Sequence, residues 1–231
     1  MLSILAFAVT ALASGADRLS EQNPARTRLV PILLQAHSAR VDAAVALARG
    51  NPAWAETAAR SAVRASPSDA RATGLLGTAR LLSGDEAGAR AAYRVARRGG
   101  WRDPVVQTYW LNSELAAGEA SRAVTHFEAI VRAWPEFVAT DALLAGLMTE
   151  DAARAALAGR VTRRSEFARA LLAVDWLDTS EAVALRAELL LDPAFDGQPL
   201  GCAIVEPMID GLSSRQMSKR AEAVQQRHCP L

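Results

Sequence analysis

Three histidines, two cysteines and a few adjacent carboxylates are the residues of this chain best suited to chemistry, and their spacing argues against most of it. His37, His126 and His228 are scattered, with no His-x3-His or His-Glu-x-x-His pair to place two imidazoles on one helix face for a metal. Cys202 and Cys229 stand too far apart in sequence for a zinc-type pair. There is no Gly-x-Ser-x-Gly elbow and no Ser-x-x-Lys to present a nucleophile. Gly99-Gly100 follows a helical pattern rather than a strand, so it reads as a turn and not a phosphate loop. Asp85-Glu86 and Glu150-Asp151 sit at the starts of apolar-periodic segments, where a carboxylate is favoured by the helix dipole. His228 beside Cys229 has the outline of an activated thiol, but no third group orients the imidazole. The expectation is a non-catalytic protein with no metal and no cofactor.

The elements that carry these residues are organised by a repeat. Gly50, Gly84 and Gly118 are evenly spaced, since 84 − 50 equals 118 − 84. Ala55, Ala89 and Ala123 keep the register, as do Ala59, Tyr93 and Phe127, and then Ala62, Ala96 and Ile130; Pro67 and Pro135 lie two periods apart. Each period holds one apolar-periodic segment up to the glycine and a second after it. In the middle unit these are Ala70 to Leu82 and Glu86 to Arg97. Two short helices meeting at a glycine make a hairpin, since the reversal calls for a left-handed backbone. Asn51, Asp85 and Glu119 follow the glycines and suit the opening of the second helix.

This pattern resembles the tetratricopeptide repeat family, whose unit of about 34 residues matches the interval between the glycines and carries an Ala-x3-Phe and Pro signature in its second half. The resemblance rests on Leu76-Gly77, Ala89-x3-Tyr93 and Ala96, then on Ala123-x3-Phe127 and Pro135. Asp42-Ala43 replaces the Leu-Gly pair in the first unit, and the Arg98-Gly-Gly-Trp-Arg insertion displaces the second unit's proline to Pro104. The resemblance implies an all-α, right-handed solenoid of helical hairpins, because a hairpin apolar on two faces buries both only by stacking on neighbours. It also implies a concave side lined by the first helices, presenting His37, Arg40, Arg71, Thr78, Thr108 and Asn112, with Leu47, Leu81 and Leu115 between them. The rival reading of the same side chains is a solvated face. Family members that grip a chaperone's acidic C-terminus use Lys, Asn and Arg at positions held here by Arg40, Ala44, Leu75, Val105 and Tyr109, so that ligand is not expected.

Around the repeats, four regions are expected. Residues 1–13 are nearly all apolar and end in Ala11-Leu12-Ala13, the form of a signal peptide or short N-terminal anchor. Residues 14–35, with Pro24 and Pro31, read as a linker, 36–160 as three repeats and a degenerate fourth, and 161–231 as a C-terminal helical cap. Arginine dominates the basic residues, Lys219 being the one lysine, and the formal net charge of +1 supplies no global field for nucleic acid. Membrane contact is expected if the N-terminal segment stays uncleaved. The two cysteines fall near the ends of a final helical pair, Cys202 to Leu212 and Arg215 to His228, joined at Gly211 to Ser214. They form a disulfide if the protein is exported to an oxidising compartment and remain two thiols otherwise.

Three functions fit. The first is an exported scaffold, periplasmic or anchored, holding a protein or peptide partner while an envelope or secretion complex is assembled or tethered. The second is an accessory subunit of an envelope polysaccharide synthesis or export system. The third is a cytoplasmic adaptor.

Overall fold

The computed structural model describes residues 11, 12, 14, 15, 17–19, 36–100, 102–137, 139–175, 178–195 and 198–229. The apolar stretch through residue 10, residues 20–35 of the expected linker, and Trp101 lie outside them. All regular secondary structure among the described residues is helical, as expected, and no helix there is long and apolar enough to cross a membrane. The chain divides into two compact units, 1–106 and 107–231.

The first unit contains α1 (Ala36–Ala48), α2 (Pro52–Ala65), α3 (Ala70–Leu82), α4 (Glu86–Arg97) and the start of α5 (Pro104–Ala116), which runs across the division. The hairpin ends are built alike. Gly50 has φ 70° and Gly84 has φ 82°, and each is followed by a residue whose N–H reaches back to the carbonyl five residues earlier (Asn51 to Ala46, Asp85 to Arg80). These are Schellman ends, which satisfy helix carbonyls that would otherwise have no partner. A Cβ at either glycine would meet nothing within 4 Å, so backbone conformation and not crowding demands the residue. The next side chain then opens the following helix: Asn51 Oδ1 accepts from Trp54 N–H and Asp85 Oδ1 from Gly88 N–H.

Alanine fills the interior of this unit. Ala43, Ala55, Ala59, Ala62, Ala72, Ala79, Ala89 and Ala96 are all buried, and such small side chains let successive helices approach closely. α1 packs on α2, α2 on α3, α3 on α4, and α1 also touches α3. Gly77 permits a close approach of α3 and α4, since a Cβ there would lie 2.8 Å from the Tyr93 ring. Tyr93 thus lies flat against α3, and its hydroxyl meets Thr78 Oγ1 at 2.7 Å. Between hairpins, Glu56 of α2 accepts from Arg80 of α3 and from Arg60. The bonds from Arg80 and then Arg60 hold the Glu56 carboxyl below its ordinary range.

The second unit contains the rest of α5, then α6 (Ala120–Ala133), α7 (Thr140–Met148), α8 (Asp151–Arg163), α9 (Ser165–Leu172), α10 (Ser180–Leu190), a 3-10 turn at Pro193–Phe195, α11 (Cys202–Ser214) and α12 (Ser218–His228). The hairpin end recurs once more at Gly118 (φ 75°), where Glu119 N–H reaches Glu114 O. Beyond it the packing changes. α8 touches α6, α7, α9 and α10 rather than its chain neighbours alone. Large side chains fill the centre: Phe127, Leu144, Leu147, Leu157, Phe167 and Phe195, with the Phe127 and Phe167 rings edge to face at 6.2 Å. A second cluster of Leu172, Val183, Leu190, Met208, Leu212 and Val224 lies under the last two helices.

The closing hairpin differs from the sequence expectation. The reversal falls at Arg215–Met217, with Gln216 at φ 61°, and not at Gly211 to Ser214. Gly211 is buried inside α11, where a Cβ would lie 2.7 Å from Val174. It serves close approach instead of a turn. The shift also makes the two arms nearly equal, 13 residues in α11 and 11 in α12, so their ends meet. Cys202 and Cys229 are bonded there with Cα atoms 4.7 Å apart, and Gly201 N–H donates to His228 O beside them.

Candidate functional site

A cleft of about 490 Å³ opens in the first unit, lined by Arg40, Val41, Ala44 and Val45 of α1, Arg71 and Leu75 of α3, and Asp103 and Val105 at the start of α5. Its position follows from how each first helix begins. Asp69 Oδ1 accepts from Arg71 and Ala72 N–H and caps α3, while Asp103 Oδ1 accepts from Val105 and Val106 N–H and caps α5. These two caps are one repeat period apart, since 103 − 69 equals 84 − 50, a column of the repeat absent from those that defined it above. The same register would place Gln35 at the start of α1. There the buried Asp17, far upstream, takes the role, accepting from His37 N–H, Ser38 N–H and the Ser38 hydroxyl.

Each capping aspartate does a second task through its other oxygen. Arg40 donates to Asp69 Oδ2 at 2.9 Å, so the cap of one helix fixes an arginine on the preceding first helix. A second Arg40 nitrogen lies 2.9 Å from His37 Nδ1. Arg71 stands 3.9 Å from Asp103 Oδ2 but is 57% exposed, a loose pair that leaves its guanidinium available to a ligand. The cleft thus has an apolar floor of Val41, Ala44, Val45, Leu75 and Val105 and a rim of one fixed arginine, one accessible arginine and one carboxylate. Such an arrangement suits an apolar side chain with a polar backbone group beside it. It offers no nucleophile joined to a base.

The six residues expected on the concave side divide. His37, Arg40 and Arg71 come together at the cleft or against it. Thr78 turns toward α4, its hydroxyl held by Tyr93 and donating to Gly74 O at 3.2 Å. Thr108 and Asn112 belong to the second unit. Asn112 is exposed there, and Thr108 Oγ1 is buried without a hydrogen-bond partner among the described residues. Ala44, Leu75 and Val105, the apolar residues that argued against an acidic-tail ligand, form the floor.

Two hollows in the second unit are walled by ion pairs instead. In one, Arg154 is bonded to Asp192 at 3.2 Å and to Met148 O; in the other, Arg132 is held by Glu128 and Glu166. The remaining histidines have structural roles. His126 Nδ1 lies 2.6 Å from Gln107 Oε1, with both residues buried. His228 is fully buried, donates from Nε2 to Leu190 O at 2.7 Å and meets Phe195 edge to face. Its pKa is lowered, by burial first, with the Leu190 bond opposing and the charge of Arg227 adding to the fall. Through the Leu190 bond, His228 anchors the end of α12.

No protein-family model, curated protein or solved structure matches the chain.

Proposed function

We propose that this protein is a non-catalytic helical-repeat scaffold of the tetratricopeptide type, which holds a segment of a protein partner in the cleft of its first unit. One observation carries the reading: the hairpin end built on Gly50, Gly84 and Gly118 recurs at a constant interval with the same backbone bonds, and the first helices of the first unit face an apolar-floored cleft. The partner segment brings an apolar side chain to Leu75 and Val105 and a backbone carbonyl or carboxylate to Arg71. An acidic chaperone tail is disfavoured, because the floor would strip water from its charge without repaying it. The setting proposed is the bacterial cell envelope, with assembly or tethering of an envelope or secretion complex as the role. The Cys202–Cys229 bond is compatible with such an oxidising compartment and disfavours the cytoplasmic adaptor.

The test is site-specific photocrosslinking in the producing cell. A crosslinker at Leu75 is expected to trap a discrete partner that one at the exposed Thr57 does not, and Arg71→Ala is expected to weaken the capture about tenfold. Equal labelling from both positions, or capture indifferent to Arg71, would remove the cleft assignment.

A further inference from the structure

The outer face of α4 differs from the rest of the first unit in gathering several exposed arginines, where Arg49 after α1 and Arg64 in α2 are exposed singly. Elsewhere in that unit Arg40, Arg60 and Arg80 each lie on a carboxylate. Arg90, Arg94 and Arg98 are exposed and have no carboxylate or other partner among the described residues, and Arg97 projects along one edge of the same face. The inner face of α4 is spent on the unit's interior through Ala89, Ala92, Tyr93 and Ala96. What remains outward is Glu86 in the first turn, then Ala87, Arg90, Ala91, Arg94, Arg97 and Arg98, with Val95 beside them at 53% exposure. Arg90 to Arg98 spans about 12 Å along the helix, and small residues between the guanidinium stems keep them accessible. Complementing the helix dipole accounts for arginines in the last turn, but Arg90 lies earlier.

We propose that this face is a docking surface for anionic phospholipid headgroups. Arginine forks match phosphate oxygens, and a bilayer surface supplies many phosphates in a plane without requiring a shaped partner. The half-exposed Val95 would reach the boundary between headgroups and acyl chains. Nucleic acid fits less well, because the face carries no amide or hydroxyl to read base edges and no aromatic ring to stack on a base. The surface is independent of the cleft reading, and it requires no membrane-spanning segment.

The experiment is co-sedimentation of the full chain with phosphatidylcholine vesicles, with and without phosphatidylglycerol. Binding is expected with the anionic lipid at about 0.05 M salt and largely lost at about 0.5 M, where charges are screened within a few ångströms. R90Q/R94Q/R98Q is expected to lower partitioning about fivefold per arginine, roughly a hundredfold together, while R90K/R94K/R98K retains it. These side chains have no partner among the described residues, so circular dichroism should be unchanged. A loss just as large in R49Q/R64Q, exposed arginines elsewhere in the unit, would overturn the assignment to α4. So would equal binding to neutral vesicles, as an apolar N-terminal segment would give, or retention of duplex DNA without retention of vesicles.

Discussion

The first unit is packed with alanine and the second with leucine and phenylalanine, and each is held in order for a different reason. Where Ala39, Ala62 and Ala72 meet, and likewise Ala46, Ala55 and Ala79, little apolar area is gained per residue, and order comes from repeated backbone devices: glycine ends, aspartate caps and the Glu56–Arg80 bridge. Where Phe127, Phe167, Leu157 and Leu147 meet, side-chain volume dominates and the backbone is less regular. The end of the second unit is further tied by a covalent bond and by Arg186, which donates to Asp178, Asp141 and Ala173 O. Burial would raise the Asp178 carboxyl, but the bonds from Arg186 and from Asp175 N–H outweigh it and hold the group low. A regular stack tolerates loss of one contact and suffers from a wrong backbone angle; a converging core does the reverse.

The largest expected effect tests the covalent tie. Reduction, or C202S/C229S, opens a 27-residue separation and is expected to cost about 3 kcal/mol, confined to the second unit. Hydrogen exchange should rise in α11 and α12 and stay unchanged in α1 to α4; faster exchange spread over both units would break the distinction. Next comes the backbone device. Gly84→Ala has room for its methyl group but must adopt φ 82°, at a cost of about 1 kcal/mol, read from the urea midpoint. Gly211→Ala tests the opposite cause in the second unit, a methyl driven into Val174, so restoring room with Val174→Ala should rescue it and leave Gly84→Ala unrescued. The smallest effect is one of pH. The unfolded histidine titrates near pH ~6.5. Because folded His228 lies lower, the unfolded chain binds more protons between the two values, and stability is full above about 6.5 and falls as pH drops through that interval. The loss should localise to α12 and disappear in a folded His228→Gln variant.

Much of the first unit could be read before any coordinates. A residue needed for its own backbone angle, such as Gly50 or Gly84, announces itself by spacing, since the requirement is local. Arg40 and Arg71 could be placed on the first helices in the same way, and the aspartate caps Asp69 and Asp103 left a signal at the same interval that the glycine and alanine columns overshadowed. Thr78 could not be assigned from spacing, because which face it turned to depended on where the Tyr93 hydroxyl came to rest. In the closing hairpin Gly211 invited a turn on composition alone. Whether a glycine serves φ or proximity is decided by what lies opposite, and Val174 comes from a distant part of the chain, before α10.

Helical class, hairpin period and the pairing option for two cysteines were written in the chain itself, because helix periodicity and left-handed glycines act over a few residues. Asp17 as the cap of α1, the apolar floor under Arg71, the burial of His228 and the register that joins Cys202 to Cys229 belong to tertiary structure. Each depends on groups brought together from distant parts of the sequence, and no local preference encodes which distant group arrives.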